Sequence, residues 1–327
     1  MGNSLNPFKK QSPSIAYQPL LIPLISENEN LRVFSFKELN KATKKFKQER
    51  VVEADNGSVQ RFYKGYINET TFAPSRTKTV SVVEYYQYHS PTLKEWMEEV
   101  KSIGQISHPN LVKLLGYSCE ENEKRFLVFE YMQKGSLDRH IFGKEEVLPW
   151  EIRVKIAIGT AQGIEFLHSV RNSLLHVELR LHNIMLDEQY NAKLLHLVSN
   201  QQRLEKENRT ILGGFEYFAP EYAISGHRGT NTDVYTFGVI LLELFSGLKA
   251  LDTKRNRDKQ KLAVWAESFL SGNYNIREII DPRLGCDYPV NAATQMCRLI
   301  KRCIEQDRRK RPSMQQVYVA LKEICRD

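Results

Sequence analysis

The 327-residue chain has no apolar run near the ~20 residues that a membrane-spanning helix needs. Its best stretch, Tyr235 to Phe245, is short and contains Glu243. The first residues lack a compact apolar segment, so no cleavable leader is expected. Five cysteines, Cys119, Cys286, Cys297, Cys303 and Cys325, form no Cys-x-x-Cys pair and no zinc spacing. Free thiols in a reducing compartment are the plain reading, and no metal is expected. Asn68-Glu69-Thr70 and Asn208-Arg209-Thr210 fit the glycosylation pattern, which is incidental in such a compartment. Charge of one sign is also scarce: 47 Lys and Arg stand against 39 Asp and Glu, a net +8. The basic residues gather at Lys41–Arg50, Lys254–Lys261 and Arg308–Arg311, each run interrupted by acids or amides and none regularly interleaved with aromatics. They read as solvated faces, with contact to a membrane surface or an acidic partner as the alternative, and nucleic acid is not expected as a partner.

What is present is an ordinary globular composition, 41% apolar and 26% charged, which excludes a wholly disordered or fibrous chain. Residues 1–33 read as a tail, broken by Pro7, Pro13, Pro19 and Pro23, though Leu20-Leu21-Ile22 and Leu24-Ile25 are apolar enough to dock on a groove. Residues 34–327 read as the folded part. Phe36, Leu39, Ala42 and Phe46 fall near helical spacing. From Val51 to Tyr88 the texture is strand-like, with a turn signal at Asp55-Asn56-Gly57. Leu93 to Ile106 predicts one helix with Leu93, Trp96, Val100 and Ile103 on one face, followed by a strand pair ending in Phe126 to Phe129. Beyond Gly135 the pattern is mainly helical: Trp150 to His168, Asp233 to Phe245, Leu262 to Leu270, Ala292 to Ile304 and Ser313 to Ile324. The expectation is an α+β protein with a small β-rich N-lobe, about 34–131, and a larger helical C-lobe, about 132–327.

HPNLVKLLGY, LVFEYMQKGSLDRHIF, NIMLDEQYNAKL, FAPEY, DVYTFGVILLELFSG and RRKRPSM occur in that order. Together they resemble the plant receptor-like cytoplasmic kinases, nearest to the subgroup that relays and guards immune signals. The resemblance runs from roughly Phe34 to the C-terminus and implies a bilobal protein kinase fold. Phosphoryl transfer on that fold requires held phosphates, bridging metal ions and an oriented hydroxyl. Each of those parts is altered here.

The three positions of the phosphate-cradling glycines hold Asp55, Gly57 and Gln60. The family's Val-Ala-Val-Lys corresponds to Val80-Ser81-Val82-Val83, so the phosphate-binding lysine is replaced by Val83, or by Glu84 if the register slips by one. Arg61 is a neighbouring cation, but strand alternation aims it at the opposite face. Glu99 sits where the family's ion-pairing glutamate would be; with no lysine to meet, it is expected to turn to solvent or to a local hydrogen bond. The catalytic loop reads His176-Val177-Glu178-Leu179-Arg180-Leu181-His182-Asn183. Glu178 keeps a carboxylate one methylene too long for the positioned base. Asn183 retains an oxygen for Mg²⁺, and Val177 removes the arginine that would dock a phosphorylated activation segment. The metal-binding carboxylate is replaced by His196, a nitrogen donor, and Val198 replaces the adjacent glycine. Thr210 follows Asn208-Arg209 where relatives carry phosphosites, and Gly214 stands at a small-hydroxyl position. Residues for folding are kept: Glu221 and Arg311 match a buried ion pair, Asp233 a brace for the loop near His176, and Phe129 the back wall of the cleft. Ile103, His176 and Leu197 match members of an apolar column between the lobes.

No catalytic function, cofactor or bound metal is expected at the degenerate positions Val83, Glu99, Glu178, Asn183 and His196. The chain reads as a pseudokinase. Met1-Gly2-Asn3-Ser4-Leu5-Asn6 resembles an N-myristoylation signal at Gly2, with Asn6 where Ser or Thr is usual. One acyl chain binds membranes only marginally, and no cysteine precedes Cys119 to carry a second. Lys9 and Lys10 add a weak basic supplement. The resemblance therefore implies an adaptor or scaffold in plant immune signalling, on the cytoplasmic face of the plasma membrane and partly cytoplasmic. Its expected partners are kinase-like proteins or an immune receptor. The alternatives are a nucleotide-sensing switch without transfer and a weak atypical Ser/Thr kinase using Glu178, Asn183 and Arg61.

Overall fold

A computed structural model describes residues 31–53, 59–69, 76–86, 92–119, 124–143, 145–170, 179–195, 214–225, 229–271 and 276–326. The N-terminal half of the fold is a six-stranded sheet in the order β1-β5-β6-β4-β3-β2. The strands are β1 (Arg32–Val33), β2 (Gln48–Glu53), β3 (Val59–Glu69), β4 (Arg76–Tyr86), β5 (Leu114–Cys119) and β6 (Arg125–Glu130). All neighbours are antiparallel except β1, which runs parallel to β5. That edge strand begins two residues upstream of the boundary that composition placed at residue 34. It fits because position 116 is glycine: a Cβ there would lie 2.0 Å from the Arg32 carbonyl.

Strand alternation divides the sheet into two apolar faces. Val80, Val82, Tyr63, Phe126 and Val128 pack on the outer face, beneath helix α1 (Phe36–Ala42). The Ser35 hydroxyl caps α1 by accepting from the Glu38 amide at 3.2 Å. Beyond its end, Lys44, Lys45 and Phe46 adopt φ of 53°, 65° and 53°. Left-handed backbone costs an L-residue about 1–2 kcal/mol. It is offset by the Phe46 ring, which stacks on Phe126 at 5.0 Å and meets Tyr63 at 5.3 Å. On the inner face, Phe62, Val83, Leu127 and Phe129 pack with helix α2 (Leu93–Gly104) through Trp96, Val100 and Ile103. A capping box of Thr92 and Glu95 starts α2. Leu93, expected on its buried face, lies in the first turn and is exposed.

The helical half opens with the short α3 (Leu137–Phe142) and is built around two long helices, α4 (Trp150–Ser169) and Thr230–Ser246, each buried on most of its circumference. Helix Met314–Ile324 packs along α4, and Val290–Cys303 along Thr230–Ser246. Arg153 of α4 is fully buried, donating to the Leu148 and Leu244 carbonyls at 2.9 and 2.8 Å and to Asp281 Oδ2 at 2.7 Å. Gly247 ends its helix at φ +69°; a Cβ there would meet Asp281 Oδ2 at 2.7 Å. The expected Glu221–Arg311 pair is present and bidentate, at 2.7 and 2.9 Å. A small sheet of β7 (Gly135–Ser136), β8 (Ile184–Leu186) and β9 (Ala192–Leu194) faces the larger one across a cleft. The α+β, two-lobed expectation is the architecture observed.

Candidate functional site

Pairing of β3 with β4 fixes the register at the lysine position. Phe62 pairs with Val83 and Arg61 with Glu84. Val83 faces inward with no exposed surface, in one cluster with Phe62, Trp96, Val100, Phe129 and Leu195. Glu84 belongs to the outer face, where its carboxylate accepts from the Tyr63 hydroxyl and lies 3.6 Å from the Arg61 guanidinium. The slip that would place Glu84 in the cleft is therefore excluded, and so is a rescue by Arg61. A cation at position 83 would have to sit in a dry apolar cluster.

Of the two outcomes expected for Glu99, solvent or a local hydrogen bond, neither is seen among the described residues. It lies half-buried on α2, one position from the buried Val100. Burial pushes its carboxyl up to about 8; the Arg125 guanidinium offsets part of that, and Glu95 adds to it. With no lysine at position 83, Glu99 is mainly protonated at neutral pH. Arg125 is itself buried and sits over the Trp96 ring at 5.7 Å.

Across the cleft, Asn183 ends a short 3₁₀ turn, Leu181–Asn183, and is buried. Its amide donates to the Arg180 carbonyl at 3.0 Å, and its carbonyl accepts from Leu195 at 2.8 Å. Glu178 and His196, with Val177, His176, Leu197, Val198 and Thr210, lie outside the described residues, as does the Gly2 segment. Asp233, expected to brace the loop near His176, has its carboxylate 3.0 Å from His168 Nε2 at the end of α4. Arg180 turns toward the segment before Ala219. Its guanidinium lies 3.9 Å from the Tyr217 ring centre and 3.6 Å from the Glu216 carboxylate. The Tyr217 hydroxyl donates to Glu243 at 2.7 Å, and the Ala250 amide donates to the other carboxylate oxygen at 2.8 Å. Burial pushes Glu243 up to about 7 despite those two donors. Arg180 is thus held by an acid and an aromatic ring of its own chain.

Arg50 reaches across the cleft. Its guanidinium stacks over Phe62 at 4.3 Å and donates to the His182 carbonyl at 3.4 Å, joining β2 to the opposite half of the fold. The run Lys41–Arg50 is therefore not wholly a solvated face. Arg50 also lines a cavity of about 290 Å³, together with the apolar Phe62, Phe129 and Leu195 and the charged Glu130, Lys134 and Arg139. Lys193 of β9 is paired with Glu130 at 2.8 Å. Gln60, at the third glycine position, is buried, and its side-chain oxygen has no hydrogen-bond partner among the described residues. The described residues contain no cluster of His, Cys, Asp and Glu able to hold a metal. The void is walled by charged as well as apolar side chains, but position 83 offers a buried alkyl group where phosphates would need a cation.

Sequence reasoning missed Arg50 and Glu216. Arg50 was concealed in a charged run, and its partner is 132 residues away. Glu216 carried a usable signal: an acid beside FAPEY, together with Arg180 in the catalytic loop, is a complementary pair.

Comparison with known proteins bears on this arrangement. Residues 48–321 match the family described as protein tyrosine and serine/threonine kinase. The chain is similar to inactive serine/threonine-protein kinase BKN2 of Arabidopsis thaliana, 63% identical over 99% of each chain. It is also similar to inactive serine/threonine-protein kinase BKN1 of the same plant, at 57% over 99% of each. Serine/threonine-protein kinase BIK1, again from Arabidopsis thaliana, is 36% identical over 99% of this chain and 83% of its own length.

Proposed function

We propose, from the premise that this chain belongs to the protein kinase family as a receptor-like cytoplasmic pseudokinase, that its output is a folded surface and not a transferred phosphate. It acts as an adaptor or scaffold that binds other kinase-like proteins or an immune receptor. The observation that carries this reading is Val83. The position that needs a cation for phosphate is dry and apolar, while the Glu221–Arg311 and Arg153–Asp281 pairs that tie the helical half together are kept. Removing one preorganised electrostatic contact typically costs ~10²–10³ in rate. The lysine position, the altered glycine positions and the lost metal carboxylate act in one site, so transfer falls to background.

The immune placement and the partner class rest on the family resemblance. The membrane placement rests on the Gly2 signal. No described helix is long and apolar enough to cross a membrane. Affinity purification from plant membranes, comparing wild type with Gly2→Ala, tests both. Kinase-like proteins or receptors should co-purify with wild type, and Gly2→Ala should move the protein to the soluble fraction. Unchanged fractionation sinks the anchor, and absence of such partners sinks the adaptor.

The cavity of about 290 Å³ favours one second reading, a nucleotide-sensing switch. A ligand at 100 times its Kd stabilises a fold by about 2.7 kcal/mol. ATP, with or without Mg²⁺, should leave the melting temperature unchanged on the adaptor reading and raise it on the other.

A further inference from the structure

The segment between helices Thr230–Ser246 and Leu262–Ser271 is tied into a closed loop. At its neck the Leu262 amide donates to Ala250 at 2.8 Å, the Asp252 amide to Gln260 at 3.0 Å, and Leu251 bridges to Lys261. Inside it, the Gln260 side chain donates to the Thr253 and Arg255 carbonyls at 3.2 and 3.3 Å. The Arg255 guanidinium is turned in, donating to the Lys249 carbonyl and lying 3.6 Å from Asp252. Residues 249–261 carry six cations and two carboxylates, a net +4 and half the charge of the whole chain. Lys254, Arg257, Lys259 and Lys261 are exposed. None of these four has an ion-pair partner among the described residues. On the same segment and the helix that follows it, Leu251 and Val264 are 41% and 53% exposed. The bridge to Lys261 sets Leu251 at the start of the helix whose first turn carries Val264.

We propose that this loop is a docking surface for an anionic phospholipid membrane. Exposed cations on one closed loop, with two exposed apolar side chains at its neck and on the adjoining helix turn, suit a headgroup layer, where the apolar tips enter and the cationic groups meet lipid phosphates. The proposal deepens the membrane reading above and rests on it in part. A single acyl chain at Gly2 anchors only marginally and needs a basic patch as a second contact. The 30 residues from Gly2 to Leu31 reach at most about 100 Å fully extended, enough for an anchor and a patch on opposite halves of the fold to share one plane.

The test uses the full chain made without acylation, sedimented with phosphatidylcholine vesicles with or without about one-third phosphatidylserine. Wild type should bind only the phosphatidylserine vesicles, and added salt should release it. Each cation near such a surface is worth about fivefold in partitioning. The combined variant Lys254→Gln, Arg257→Gln, Lys259→Gln, Lys261→Gln should therefore bind at least tenfold less. The matched removal of four charges elsewhere, Lys301→Gln, Arg302→Gln, Arg308→Gln and Lys310→Gln, should bind as wild type. A Lys→Arg version at 254, 259 and 261 should keep binding, which separates charge loss from misfolding. Loss confined to the loop variant supports the surface even where Gly2 proves unmodified. Equal binding of wild type and loop variant overturns it and leaves the acyl anchor standing. Capture of an acidic polypeptide with no vesicle binding overturns it too.

Discussion

Glu99→Gln should stabilise the fold at neutral pH and leave it unchanged in acid. The carboxyl titrates at about 8 in the folded chain against 4.5 when unperturbed. Between those values the unfolded chain has ionised Glu99 while the folded chain holds its proton. Folding then takes up a proton, so the stability present below 4.5 is lost as pH rises toward 8. At about 1.4 kcal/mol per unit, the penalty near roughly pH 7.5 has a ceiling of about 4 kcal/mol. Water reaching a half-buried carboxyl reduces this to about 1–2 kcal/mol. Glutamine is a neutral isostere and removes the penalty. Thermal unfolding of both proteins from acid to mildly alkaline pH reads it directly. The gap in melting temperature should open from near zero to about 2–5 °C, at about 2 °C or more per kcal/mol for a large domain. In a fold with a lysine facing this glutamate the same change would destabilise. A variant that melts lower than wild type at neutral pH, or a gap that ignores pH, would show Glu99 ionised against Arg125 and refute the reasoning.

Asp281→Asn removes the carboxylate between Arg153 and Arg283 and leaves a fully buried guanidinium; a loss of about 3–5 kcal/mol is expected in denaturant unfolding. Glu221 is pushed up by burial but lowered on balance by Arg311 and its hydrogen bonds. Its contribution is therefore present above 4.5 and lost as pH falls through the lower folded value, and Glu221→Gln should flatten that acid limb of the stability curve. Val83→Lys should lower stability by about 2–5 kcal/mol, because it buries an ammonium in an apolar cluster. It should yield no phosphoryl transfer from labelled ATP with Mg²⁺ or Mn²⁺.

Much of the fold was legible because periodicity and capping agree. Trp96, Val100 and Ile103 announce α2 and do line its buried face. Glu221 and Arg311 could be paired from the sequence because each sits in a short segment of recognisable pattern. The lysine position was legible to within one residue, and the ambiguity between Val83 and Glu84 disappears only with the β3–β4 pairing. Arg50 was not legible, since its ring and carbonyl partners are set by how two halves of the fold close on one another. Glu99 was misread for a related reason. Solvent was the cheapest destination for an unpaired carboxylate, but packing of Trp96 and Val100 holds that stretch of helix against the sheet, and the group protonates instead.

The link from Arg50 to the His182 carbonyl has a consequence for regulation. In a working phosphotransferase the nucleotide itself clips the two halves together, so their alignment tracks occupancy and, through it, the ratio of ATP to ADP. Here the clip is encoded in the polypeptide. On the adaptor reading, a surface spanning both halves would keep its shape in starved and well-fed cells alike, and whatever reads that surface would respond to the abundance and whereabouts of the protein; on the nucleotide-switch reading it would follow metabolic state.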